Sequence, residues 1–210
     1  MPTTTLIRWS APLFALGAIL FAVFIIVSNG EFTGAELGLS ARHHFAHMSH
    51  LVSALCFLFG ITGLYASHRA RAGVFGVVAF VVAIVGDALW VGTGVITGLV
   101  WRTISANAPQ LVAAHGAFFD PPLPIIFTAT MLFAIGHMLL AIVAWRARIL
   151  PRAAAVLAIA GMGMTLLPPP PWGLVPYPVL DVGAVMFAIA ASWIAAALWR
   201  AAAPGASFEA

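Results

Sequence analysis

Between Gly73 and Trp101 the chain carries one charged side chain, Asp87, in an apolar run longer than the ~20 residues a helix needs to cross a bilayer. Five further apolar runs follow the same pattern, separated by polar or proline-rich connections. A backbone in lipid must satisfy its own hydrogen bonds, so such runs read as helices. The sequence predicts an all-α fold, a polytopic membrane helix bundle forming a single integral membrane domain over 1–210. Its six or so transmembrane helices fall at about 11–27, 47–67, 73–95, 123–145, 152–167 and 179–199. With 63% hydrophobic and 7% charged residues, the chain lies far from a soluble domain, whose charged share is roughly a quarter.

The formal charge of +3 comes from nine arginines, scattered and without a single lysine, so no nucleic-acid partner is expected. With the N-terminus inside, the inner side holds Arg8, Arg69, Arg71, Arg146, Arg148, Arg152 and Arg200, and the outer side only Arg42 and Arg102. The positive-inside rule then places both termini in the cytoplasm, as in a bacterial inner membrane. The first run follows Arg8 as a signal peptide would, but Ser28-Asn29-Gly30-Glu31 is not a small-x-small cleavage site, so it reads as a retained span. The lone Cys56 excludes an intramolecular disulfide.

Polar connections are expected from Glu31 to Arg42 and from Arg102 to Pro122, with a short basic loop from His68 to Arg71. Gly92, Gly94 and Gly98 leave two readings of the third run: a strongly tilted span, or a span followed by a surface segment. The same glycines, with Gly86, suit close helix contact, within the chain or in a homo-oligomer. Arg69-Ala70-Arg71 recurs as Arg146-Ala147-Arg148, and the same offset lays Gly86 on Gly163, a faint internal repeat of two hairpins.

Four of the seven histidines lie in one stretch, His43, His44, His47 and His50, where a polar connection meets an apolar run. In a helix His43, His47 and His50 share a face, a placement open to a metal ion or a haem. The cofactor expectation is nonetheless none, because a second histidine box of the kind membrane di-iron enzymes need is missing. Asp87 is the costly residue: a carboxylate within a span costs about 2.5 to 3.5 kcal/mol on insertion scales. Counting ~1.5 Å per residue from the inner ends puts Asp87 about 21 Å up, His50 about 25 Å, and His47 and Asp181 near the outer surface. The same count leaves His137 about 10 Å below His50, which argues against a haem held between those two.

These heights predict a catalytic group of Asp87, His50 and Asp181, with a substrate wall of Trp90, Trp172, Met162, Met164 and His47. His43 and His44 are expected in water, His68 in the basic loop, and His115 and Asp120 in an outer loop able to fold over the cluster. The ordinary alternative is that Asp87 only ties helices together through Ser53 or His50.

Arg8-Trp9-Ser10, the basic turn after the second span and Leu150-Pro151-Arg152 opening the fifth resemble a broad set of uncharacterised bacterial multi-spanning membrane proteins. Intramembrane acids with aromatic walls are also similar in kind to membrane-bound terpene cyclases and sterol-isomerase-like bundles. That resemblance implies acid/base chemistry on a lipid-like or isoprenoid molecule taken from the bilayer. Asp87, as a neutral acid, would protonate an alkene or epoxide, with His50 orienting it and Trp90 and Trp172 facing the developing cation. A histidine-rich metal- or haem-binding subunit of a membrane complex and a small transporter are the other two readings.

Overall fold

The apolar runs fold as α-helices, the backbone form that satisfies its own N–H and C=O groups away from water. The computed structural model describes residues 3–28, 35–112, 124–148, 150–167 and 176–202. Among the described residues there is no strand. The helices are α1 (Thr3–Ser28), α2 (Ala35–Leu39), α3 (Ala41–Val95), α4 (Trp101–Asn107), α5 (Pro124–Ala147), α6 (Arg152–Thr165) and α7 (Tyr177–Ala201). Four helices are long and apolar enough to cross a membrane: α1, α5, α7 and the continuous 67-residue stretch Ala41–Asn107. α6 is a shorter apolar helix of 14 residues, below the ~20 of an ordinary straight crossing.

α3 starts at Ala41, six positions before the expected boundary. Ser40 causes this: its extended backbone stops the preceding chain and its Oγ accepts the His43 N–H at 3.1 Å, a helix cap. His43 and His44 are therefore in the first helical turn rather than in a polar loop. The expected basic loop at 68–71 is helical as well, and the reversal falls at Gly73, with φ 57° and ψ −159°. That region is open essentially to glycine alone. Gly73→Ala is expected to cost about 1–3 kcal/mol, read as a lower unfolding midpoint in detergent titration.

Beyond Gly73 the second half of α3 runs back along the first: Tyr65 stacks on Phe80 at 4.4 Å, and a Cβ at Gly94 would meet the Leu51 Cα at 3.0 Å. The helix does not stop at its glycines. It continues through a π-helical segment, Ile96–Val100, into α4, so Arg102–Asn107 is helical and not part of a loop. Gly94 and Gly98 pack against Leu51 and His47 of the same hairpin and Gly86 against α5, so these glycines serve contacts within the chain.

The helices close a circuit in which each neighbours the next in sequence. α1 lies along the first half of α3, with Ser53 Oγ donating to the Gly17 carbonyl at 2.7 Å. The second half of α3 lies along α5, where a Cβ at Gly86 would stand 2.5 Å from the Leu132 carbonyl carbon. α6 packs on α5 and α7, and α7 returns to α1, where the Arg8 guanidinium sits over the Trp199 ring at 4.6 Å. Neighbours run antiparallel, so the Gly73 turn, the start of α1 and the end of α7 share one end of the bundle, and Ser40 marks the other. The centre is aromatic, with Phe14, Phe57, Phe133 and Phe187 all nearly inaccessible.

Both basic turns contain a residue of positive φ, Gly73 and Arg148, each at 57°, at positions two residues away from the offset of the arginine repeat.

Candidate functional site

Asp87 is fully buried, and neither carboxyl oxygen has a hydrogen-bond partner among the described residues. Its neighbour is His137 of α5, with Nδ1 at 3.9 Å from Oδ1. The height count ranked these two apart and favoured His50; the packing register corrects it. Because Gly86 faces Leu132, His137 lies about five residues, or ~8 Å, nearer the Gly73 end than Asp87. Side chains lean toward the N-terminus of their own helix. The two helices are antiparallel, so Asp87 and His137 lean toward each other and close that offset. His50 lies opposite residue 95 or so, about two turns beyond Asp87, and leans away from it.

Hydrogen bonds assign the imidazole tautomers. A carbonyl only accepts, so His137 Nδ1 donates to the Phe133 carbonyl at 2.9 Å, and in the neutral ring Nε2 is a bare base without a partner among the described residues. Thr93 donates its hydroxyl to the Trp90 carbonyl at 2.9 Å, so towards His50 Nε2, at 3.4 Å, its oxygen accepts. His50 Nδ1 is then the bare nitrogen, also unpartnered. His47 leaves both ring nitrogens unpartnered among the described residues although it is 2% exposed. A buried polar atom without a partner costs about 1–3 kcal/mol, so this cluster works against stability.

Trp90 stands between the two groups. Its indole lies 4.2 Å from the His50 ring and is stacked at 5.0 Å on Phe133, which in turn contacts His137 at 4.5 Å. Phe24 of α1 covers His50 at 4.6 Å and His47 at 5.3 Å. Towards Ser40, His47 and His43 lie 4.1 Å apart, and His43 meets Trp101 at 4.7 Å. The π-helical segment lies over this end, and its displaced Gly98 carbonyl takes the His44 ring at 3.2 Å. Such π insertions recur at functional sites.

His43, expected in water, is buried, and so is His68, whose Nδ1 bonds to Ser67 Oγ at 2.7 Å. Asp181 is half-buried on α7 and makes no hydrogen bond or ion pair among the described residues. Met162, buried, and Met164, half-buried, lie on α6, across the circuit from the first half of α3. Thus Asp87, Trp90, His50 and His47 share one neighbourhood, and Asp181, Met162 and Met164 belong to another part of the bundle. Ser53 bonds to Gly17 rather than to Asp87. Trp172, His115 and Asp120 lie outside the described residues. Among the described residues no three His, Cys, Asp or Glu side chains are arranged to hold a metal ion; His43, His47 and His50 share a face without converging.

His137 is the residue the sequence reasoning passed over. Its signal is Gly136, which brings α5 against Ala83 backbone and so sets the next side chain beside the Asp87 turn. Comparison with known protein families, with curated proteins and with solved structures finds no match to this chain.

Proposed function

We propose that the chain crosses the membrane six times, with α3 crossing twice, and is an acid/base enzyme acting on an isoprenoid or other lipid-like alkene or epoxide. The crossing pattern is supported by the antiparallel circuit and by seven arginines at the Gly73 end against Arg42 and Arg102 at the other, which puts both termini in the cytoplasm. The catalytic reading is carried by one observation: a wholly buried carboxyl without hydrogen bonds among the described residues, beside a histidine with a bare nitrogen.

A lone buried carboxylate is far costlier than the neutral acid, so Asp87 holds a proton to give. It transfers that proton to the substrate carbon or epoxide oxygen and becomes a carboxylate. The cation forms against Trp90 and Phe133, whose ring faces stabilise positive charge. His137 Nε2 takes a proton from the adjacent carbon, leaving a neutral isomer; the imidazolium gives its Nδ1 proton, on the nitrogen 3.9 Å from Oδ1, to the Asp87 carboxylate, and tautomer exchange restores the starting ring. Mass is conserved and no cofactor is consumed.

The test incubates the protein in nanodiscs in D2O with squalene, its epoxide and geranylgeraniol. The native protein is expected to yield an isomer, with deuterium in a C–H position where an alkene is protonated and as an isomeric alcohol where the epoxide is opened, and Asp87→Asn to lower the rate by about 10² to 10⁴-fold. No isomer above that variant from any probe overturns the reading. A proton-coupled carrier is the second reading, favoured by the line of buried imidazoles above Asp87. It would move a solute and leave carbon-bound hydrogen unlabelled.

A further inference from the structure

The seam between the two halves of α3 changes character at Asp87. Towards the Ser40 end it holds Trp90, Thr93 and Thr97 on the returning half and His50, His47 and His43 on the outgoing half, every one of them buried. Towards the Gly73 end the buried side chains of the two halves are Phe57, Ile61 and Leu64 on one and Ala79 and Ala83 on the other, all apolar, with the half-buried Tyr65 stacked on Phe80 and Ser67 and His68 at the turn. Phe14 of α1 closes the apolar half, with its ring 5.8 Å from Phe57.

An imidazole can accept a proton on one nitrogen while releasing one from the other, which makes adjacent histidines a relay. His43 and His47 rings are 4.1 Å apart, His47 and His50 are 6.1 Å apart, and each presents at least one buried nitrogen without a partner among the described residues. The line stops at Trp90, whose Nε1 is likewise unpartnered. Beyond that indole lie Asp87 and His137. On the other side His137 packs on Phe57 at 4.7 Å, and no further imidazole is found among the described residues of the α3 seam until His68 at the turn.

We propose that Asp87 exchanges its proton with water at the Ser40 end only, through His43, His47 and His50, and that the Trp90 indole is the gate between this relay and the carboxyl. The step moves one proton: water at the Ser40 end gives it to His43, each imidazole passes one on, and the Asp87 carboxylate receives it when Trp90 swings aside. Exchange in the reverse direction follows the same route. The use of this route rests on Asp87 being the working acid, but its existence does not depend on any substrate.

The experiment follows the infrared carbonyl stretch of the protonated carboxyl, identified as the band missing in Asp87→Asn, after transfer of the full-length protein in nanodiscs to D2O. His47→Phe is expected to slow the deuterium shift by about 10²-fold, and His47→Gln, which stays polar but cannot relay, to slow it similarly. Trp90→Ala is expected to speed it by about tenfold or more, and His68→Phe at the other end to leave it unchanged. An unshifted carbonyl frequency across these variants certifies that the Asp87 surroundings are intact. Equal rates in all variants, slowing in His68→Phe alone, or no protonated carboxyl band at neutral pH overturns the route. Labelling of substrate carbon is measured separately, so a failed route and a failed enzyme reading give different results.

Discussion

Asp87→Leu is expected to unfold at a higher denaturant concentration than the native protein while losing all acid/base turnover. The gain arises because leucine branches at Cγ as aspartate does and carries no polar atoms, so the two carboxyl oxygens, unpartnered among the described residues, and their cost of about 1–3 kcal/mol disappear together. The loss arises because no other carboxyl reaches His137 or Trp90 among the described residues. Unfolding in mixed micelles gives the first quantity, and deuterium transfer to substrate gives the second. A fall in stability of similar size would instead make Asp87 a tie between α3 and α5 and remove its catalytic role. Natural proteins retain such costly groups chiefly where function needs them.

Gly86→Val and Gly136→Val are expected to be the most damaging single changes to the fold. A Cβ at Gly86 would stand 2.5 Å from the Leu132 carbonyl carbon and the Phe133 nitrogen, and one at Gly136 would strike Ala83 backbone. Backbone atoms cannot rotate away as a side-chain tip can, so the helices must separate. Overpacking of this kind costs about 1–3 kcal/mol, and here it also spreads the Asp87 and His137 pair, so turnover should fall with stability. Gly92→Val, with nothing within 4 Å of the added carbon, should leave the unfolding midpoint within about 0.5 kcal/mol of native. Equal effects at Gly86 and Gly92 would mean that the α3 to α5 seam is not closely packed.

The sequence was most informative where hydropathy alone decides. The runs at 123–145, 152–167 and 179–199 end within two residues of α5, α6 and α7, whereas α1 begins eight residues before its run. It was least informative where short polar stretches took helical form. Ser40 extended α3 back to Ala41, and the Arg102 stretch remained helical because the π-helical segment carried the helix past its glycines. Asp87 and Trp90 were legible as a charged residue and an aromatic one turn apart in an apolar run. His137 was not, because counting heights from the ends of helices ignores the direction in which side chains lean. Across an antiparallel pair that lean shifts a contact by several ångströms.

The placement of α1 beside α7 has a further consequence for topology. Every helix of the circuit borders its neighbour in sequence, and the last borders the first, so the arrangement has no intrinsic starting point. An even number of alternating segments also returns to the side it left. A chain rejoined from Ala202 to Thr3 and opened in the connection between α4 and α5 would therefore thread the same circuit with every segment keeping its direction. The order in which the translation machinery delivers these helices is a property of the gene, and the finished assembly is a property of the neighbours each helix meets.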